Sequence, residues 1–444
     1  MNGFAERRDR LARALRDARA APVGLGKETS NLFRDRAAGA KRLLDVRAFD
    51  HVLAVDRSAG RVDAEGMTTY ETLADATLAH GVMPAVVPQL KTITLGGAAA
   101  GVGIEATSFR HGLVHETLTE IEVLTGDGRT VVCRPDNEHA DLFYGFPNSY
   151  GTLGYALRLT ARTQPVKPFV TILHRRFDSP FALFSALDRA CDGDADFVEG
   201  VVFDDGGLYL SESRFADDVA ATSDYTFEHI YYRSIRERAH DALTVRDFLW
   251  RWDTDWFWCS KNLGAQVPWL RRLYGRERLN SRTYQKIMRW NTRLGITRGL
   301  SALRGGHTES VIQDVDIPIA SAPQFLDFFL REIRVLPMWI CPITTSAAAD
   351  RFVLYPMRPR TRYVNFGFWD VLRRERRYSA GHFNRSIEAE VQRLGGIKSL
   401  YSDSYFERST FDAIYGGGAY RSLKARYDPN GSFPGLYEKC VLRH

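Results

Sequence analysis

The sequence predicts an α+β protein of two domains closed by a C-terminal segment, and three observations carry that prediction. Residues 21–167 alternate short apolar runs with glycines and turn residues. Residues 169–400 lose glycine, gain aromatics and arginine, and show longer helical patterns. Pro165 and Pro168 interrupt regular structure between the two stretches. The expected domains are therefore 1–168, 169–398 and 399–444. A chain of 444 residues buries a sizeable core without covalent staples. Its 44% apolar and 26% charged residues exclude disordered, collagen-like and coiled-coil classes.

The elements follow in order. Phe4, Leu11 and Leu15 space an amphipathic helix, and the arginines between them leave no apolar signal-peptide core. His51 to Asp56 and Arg61 to Glu65 read as paired strands around Ser58-Ala59-Gly60. Thr68 to Glu71 has capping-box spacing and opens a helix that Gly81 stops. Strands are expected at Ala85 to Val87, Ile121 to Leu124, Thr130 to Cys133 and Leu153 to Ala161, with Gly126-Asp127-Gly128 as a hairpin turn. A turn at Tyr427 to Gly431 precedes a short terminal helix.

Several chemistries are excluded. Cys133, Cys191, Cys259, Cys341 and Cys440 are odd in number and form no CxxC pair, so neither a zinc site nor a disulfide scaffold is signalled and a reducing cytoplasm fits them. His115-Glu116 begins like HExxH, but Thr119 takes the second ligand position, so the pair reads as solvated loop and no metal is expected. No window of eighteen apolar residues occurs, which leaves peripheral contact as the route to a membrane.

The strongest chemical signal is three glycine-rich loops: Gly24 to Asn31, Pro88 to Gly103, and Ser149 to Gly154. Glycine lets backbone approach a bulky anion, and successive N–H groups form a concave donor array, so a dinucleotide pyrophosphate is the natural guest. Gly101-Val-Gly-Ile-Glu-Ala106 also matches a relaxed Rossmann pattern, but no buried strand precedes it and Gly112 soon breaks any helix.

In their order, these loops, with Asp141-Leu-Phe-Tyr144, resemble the PCMH-type FAD-binding domain of the vanillyl-alcohol-oxidase superfamily. The chain is similar within it to delta(24)-sterol reductases, through Val311 to Pro318, Pro337 to Pro342, Ser399 to Tyr405 and Phe433 to Tyr437. It resembles still more closely the bacterial reductases that convert a methylene fatty acyl chain to the methyl-branched chain of tuberculostearic acid, through Trp250 to Cys259 and Pro88 to Gly97. The resemblance implies a two-subdomain FAD-binding domain, an α+β cap over the substrate, and a C-terminal segment that returns to the flavin. It assigns FAD contacts to Gly24, Gly26, Lys27, Glu28, Thr29, Ser30 and Asn31 in the first loop. In the second it assigns Pro88, Gln89, Thr92, Thr94, Leu95, Gly96, Gly97, Gly101, Gly103, Ile104 and Ser108, and in the third Ser149, Gly151, Thr152 and Gly154. No His stands beside Lys27 and Glu28, so the FAD is expected to be non-covalent, and NADPH is the implied reductant. Decaprenylphosphoryl-ribose oxidase, a more distant relative, has a catalytic Lys where this chain has Ser402, which argues against alcohol oxidation.

An isolated alkene has no carbonyl to accept charge, so its reduction needs a proton donor, a dry pocket and electron-rich walls. Trp250, Trp252, Trp256 and Trp258, with Phe257, are candidates for those walls; the plain alternative is ordinary core packing. Asp253 and Asp255 in the same run read as surface ion-pair partners. Candidate acids are Tyr401, Asp403 and Glu105, weighed against a structural tyrosine and a capping aspartate. The same flavin site would also serve a lipid desaturase or a sterol reductase, and a third reading is a flavin-containing lipid-binding partner of a fatty-acyl methyltransferase. Finally, the net charge of +6 is unevenly spread: residues 267–307 carry ten basic side chains against Glu277 alone. Aromatics are interleaved with them, so this segment is expected to contact an anionic membrane at its cytoplasmic face, RNA binding being the weaker alternative.

Overall fold

Two antiparallel sheets organise the computed structural model, which describes residues 2–17, 23–27, 33–34, 42–294 and 307–443. The smaller sheet runs in the order β3 (Val52–Asp56), β4 (Arg61–Glu65), β8 (Tyr155–Pro165), β6 (Leu118–Leu124), β7 (Thr130–Cys133), with β5 (Val82–Pro84) paired to the end of β8. The β6–β7 hairpin turns through Gly128 at φ 79°, a left-handed position that glycine adopts without strain. The strand expected at Ala85 to Val87 sits three residues earlier. Val82–Pro84 pairs with β8, while Ala85, Val86 and Val87 are buried, so that apolar run marks burial rather than pairing. Thr69, not Thr68, caps helix Tyr70–Leu78, because Thr68 Oγ1 donates to His51 O instead.

The larger sheet has eight strands in the order β12 (His240–Thr244), β9 (Phe169–Phe177), β11 (Leu208–Ala216), β10 (Phe197–Val202), β14 (Met338–Thr344), β15 (Arg362–Arg374), β13 (His307–Pro318), β16 (Ile397–Lys398). Its period-two alternation separates two apolar faces. Val311, Val315, Phe366, Phe368, Met338 and Ile340 pack on helices Pro180–Cys191, Ala322–Glu332 and His382–Arg393. Trp339, Cys341 and Ile343 face the other way and join the core that also contains the six-stranded sheet. The chain passes from one sheet to the other between Pro165 and Phe169.

The C-terminal stretch lies along the glycine-rich half. Phe33 N donates to Tyr401 O, Val23 N to Ser432 O, and Gly126 N to Tyr427 O at 2.7 Å. The N-terminal helix, Asn2–Arg16, buries Leu11 and Leu15 in a small core with Phe433. A two-stranded parallel sheet, β1 (Val23–Gly26) with β2 (Arg42–Asp45), joins that core through Val23 and Leu44. Two expectations are corrected. His115 is not solvated: it is 2% exposed, its ring lies 4.5 Å from that of Phe352, and burial pushes its pKa down to about 3. Asp253 and Asp255 are not on the surface either, being 1% and 3% exposed. Among the described residues, no helix is long and apolar enough to cross a membrane.

Candidate active site

A cavity of about 940 Å³ lies where the glycine-rich loops meet the inner face of the larger sheet, within the size range of cofactor and ligand sites. Gly24, Lys27, Pro88, Gln89, Thr92, Thr94, Gly96, Gly97, Gly101, Gly103, Ile104, Gly151 and Gly154 line it. Glu28, Thr29, Ser30 and Asn31 lie outside the described residues. Five assigned contacts do not reach the wall. Gly26 is taken up in the β1–β2 pairing, and Leu95 is fully buried in the core. Ser108 Oγ accepts from Glu105 N, and Thr152 Oγ1 donates to the backbone O of the buried Ser149.

The donor array expected at Thr94 to Gly97 is also corrected. The N–H groups of Leu95, Gly96 and Gly97 are spent on Thr68 O, Gly66 O and Thr94 Oγ1. Glycine is needed there for close packing: a Cβ on Gly96 would lie 2.7 Å from Gly66 O, and one on Gly103 2.6 Å from the Val114 side chain. Besides Lys27, positive charge comes from residues outside the loops. The Arg34 guanidinium stacks 4.8 Å from the centre of the Tyr150 ring, and Lys439 Nζ donates to Tyr150 O at 2.6 Å. Both basic residues line the cavity beside Gly151.

The opposite wall is aromatic. Trp256, Phe257, Trp339, Trp369 and Tyr401 line it. Tyr150, Trp256 and Phe257 hold φ of 49°, 46° and 58°. Left-handed backbone costs a bulky residue roughly 1–2 kcal/mol, so packing holds these three rings against their own preference. Phe257 N donates to Trp252 O, and Trp256 stacks on Tyr284 with planes 10° apart. Trp250, Trp252 and Trp258 do not line the cavity. Trp252 stacks on Phe257 and Trp258 packs on Trp369, so they stand behind the wall and support it, while Trp250 is buried in the core.

A residue that sequence reasoning missed sits in this wall. Strand register puts Asp314 of β13, Gly367 of β15 and Trp339 of β14 in one cross-strand row. Asp314 lines the cavity, and its Oδ1 has no hydrogen-bond partner. Burial, then the nearby Asp316 charge, pushes its carboxyl up to about 8, while the Tyr401 hydroxyl within hydrogen-bonding reach acts the other way. Trp369 Nε1 donates to Tyr401 OH at 2.7 Å, so a short polar chain runs Trp369, Tyr401, Asp314. Gly367 makes room for it: a Cβ there would meet Asp314 Oδ1 and the Trp369 ring at 2.6 Å each. Gly367→Ala is expected to cost about 1–3 kcal/mol by overpacking and to move Asp314. Urea unfolding checks this, and an unchanged midpoint would mean that the row is loosely packed.

The other two acid candidates lie elsewhere. Asp403 is not in the wall; its carboxylate lies 3.6 Å from Arg443 instead. Glu105 stands one layer back, fully buried, accepting from Gln89 Nε2 at 2.7 Å and from Thr107 N. It holds Gln89, whose Oε1 is buried without a partner. Ser402 is buried behind the wall, and nearby Lys398 is engaged by Glu388. Cys259 lines the cavity with its thiol pushed up to about 12 by burial.

These residues fit FAD. An unpartnered amide acceptor on Gln89 suits a flavin imide N–H, Arg34 and Lys439 suit a pyrophosphate, and the glycine-bordered cleft admits a flat ring. Comparison with known proteins agrees. Residues 4–134 match the family model described as an FAD binding domain. The chain is homologous to delta(24)-sterol reductases. It is 25% identical to that of Mus musculus over 413 residues, covering 88% of this chain and 77% of the relative. It is 24% identical to the Caenorhabditis elegans homologue over 438 residues, 92% of this chain and 80% of the relative. A stretch of 147 residues, 32% of this chain and 28% of the relative, is 32% identical to cytokinin dehydrogenase 7 of Oryza sativa.

Proposed function

Given that this chain is an FAD-dependent oxidoreductase, we propose that it reduces the isolated double bond of a methylene-branched acyl chain in a phospholipid, with NADPH as reductant. The observation that carries this reading is the Asp314 carboxyl: a half-buried acid with a raised pKa and an unpartnered Oδ1, beside Tyr401, in an aromatic cavity bordered by the glycine loops. An alkene remote from any carbonyl needs its proton before or together with the hydride, whereas a carbonyl-activated one can take it afterwards.

Gly101, Gly103, Gly151, Gln89, Arg34 and Lys439 would hold the cofactor. Bound FAD would supply hydride-transfer chemistry between NADPH and the substrate carbon. Asp314 gives its proton to the terminal methylene carbon, whose π pair forms the new C–H bond. Positive charge then grows on the substituted carbon, which hydride closes to leave a methyl branch. Trp256, Phe257, Trp339 and Trp369 exclude water and face that charge with their rings; a desolvated cation–π contact is worth about 2 kcal/mol. Tyr401 orients the Asp314 carboxyl and relays a replacement proton. The acyl chain comes from the inner leaflet of an anionic membrane, where the methyltransferase that made the methylene substrate's branch would be a working partner.

A second reading, reduction of a sterol side-chain double bond, is favoured by the activity for which the relatives are named and the extent of the match. One experiment separates the two. The purified protein is expected to show a flavin spectrum that bleaches anaerobically with NADPH and recovers on adding a methylene phospholipid. Recovery with desmosterol instead would establish the second reading, and bleaching without recovery by either lipid would defeat both.

A further inference from the structure

Helices Pro268–Tyr274 and Ser281–Leu294 carry most of the described part of the basic segment, and their side chains sort into two sets. One set faces inward. Arg271 is buried and makes a two-pronged ion pair with Asp255, at 2.7 and 3.0 Å. Ser281 donates through N and Oγ to Asp253, Tyr284 OH donates to Thr254 O, and Ile287 and Met288 line the cavity. Both helices are thereby seated on residues 253–255, next to the wall residues Trp256 and Phe257.

The other set faces outward, and it is apolar where a water-facing helix would be polar. Trp269 and Leu273, four residues apart on one helix face, are 67% and 72% exposed. Trp290 is 70% exposed, and Arg282, Lys286 and Trp290 fall at successive four-residue steps along the second helix. Arg272, Arg276 and Arg278 are exposed between the two apolar sets. Arg272, Arg276 and Arg282 meet Glu228, Asp224 and Glu71 from other parts of the chain. These pairs are exposed, so the guanidinium groups can exchange a carboxylate for a phosphate at little cost.

We propose that this face docks on an anionic bilayer, with Trp269, Leu273 and Trp290 entering the interface and the surrounding cations meeting lipid phosphates. Two observations select a bilayer over a soluble partner. The exposed apolar groups are the interfacial kind, tryptophan and leucine, with the exposed cations Arg272, Arg276, Arg278, Arg282 and Lys286 interspersed along the same stretch. The face is also continuous with the cavity, because Trp290 is exposed and lines it, so a chain leaving the bilayer enters beside Met288 and Ile287. The purpose of this docking rests on the lipid reading above, but its test does not.

The test is co-sedimentation of the FAD-loaded full chain, without substrate, with vesicles of phosphatidylcholine alone and of phosphatidylcholine mixed with phosphatidylglycerol. The protein is expected to bind the mixed vesicles and to be released by high salt. Trp269→Ser with Leu273→Ser, and separately Lys286→Glu, are expected to weaken binding by about tenfold and to keep the flavin spectrum; none of the three lines the cavity. Equal binding to both vesicle types, or binding unaffected by either variant, would overturn the proposal. So would a dimer that Trp269→Ser dissociates, since a second copy would then cover the face. Vesicle binding without lipid-dependent flavin recovery would retain the docking face and reject the proposed reaction.

Discussion

Asp314→Asn is expected to leave flavin bound and to lower turnover by about 10²–10⁴-fold, the range for loss of a general acid. Asparagine keeps the shape and has no proton to give. Tyr401→Phe is expected to cost less, because the carboxyl remains and loses only its neighbour. Single-turnover reoxidation by lipid measures both, separately from reduction by NADPH, which neither variant should slow. If Asp314→Asn reoxidises at the wild-type rate, the proton comes from elsewhere.

The pH dependence follows from the same group. With its carboxyl raised to about 8 by burial and the Asp316 charge, Asp314 is protonated at neutral pH, and turnover should fall as pH rises through about 8. Stability moves in the same direction. A folded-state pKa above the unfolded one means that the native chain holds a proton the unfolded chain releases. That contribution is fully present below about pH 4 and is lost as pH rises towards 8, at roughly 1.4 kcal/mol per unit. Asp314→Asn removes this share of the dependence and leaves that of Asp316, whose carboxyl burial raises to about 6, so the inactive variant should be the more stable protein at pH 8, with the difference shrinking towards pH 4. Urea midpoints across that range check the sign.

Arg251→Met is expected to destabilise the protein by about 3–5 kcal/mol, as removal of one member of a buried ion pair does. Arg251 is fully buried, and its Nε and Nη2 donate to Glu199 Oε1 at 3.0 and 2.8 Å; Glu105 lies 3.7 Å away. The other Glu199 oxygen accepts from Trp252 and Trp339. Without the guanidinium, two buried carboxylates face each other, and Glu105, already raised chiefly by burial and held down by Arg251, rises further. Adding Glu199→Gln should restore part of the loss. A loss under about 1 kcal/mol for the single variant would mean that the carboxylates had already taken up protons.

The glycine loops, Trp256 and Tyr401 were legible because their signals are local: glycine spacing, an aromatic run, and a segment resembling a known C-terminal strand. Asp314 was not, although Val311 to Pro318 carries part of the resemblance. In a strand, acids at 314 and 316 alternating with Val315 and Ile317 read as the wet face of a half-buried sheet. Only the packing of the other half of the chain onto that face makes it dry. Asp253 and Asp255 were misread for the same reason, since their partners Ser281 and Arg271 come from helices that fold back over them. The basic segment was legible as a count but not as a field, because Glu71, Asp224 and Glu228 lie far from it in sequence.

The seating of helix Ser281–Leu294 also sets how it moves. Bonds to Asp253, Glu71, Thr254 and Thr92 anchor its start through Ser281, Arg282, Tyr284 and Gln285, so a tilt of this helix would pivot on its first turns, as a lever does on its fulcrum. At 1.5 Å rise per residue, Trp290 stands about 14 Å along the arm. A few degrees of tilt therefore shift the Trp290 edge of the cavity by an ångström or so while Tyr284, stacked on Trp256, stays in register. Such a tilt would change the width of the mouth without disturbing the aromatic wall at Trp256.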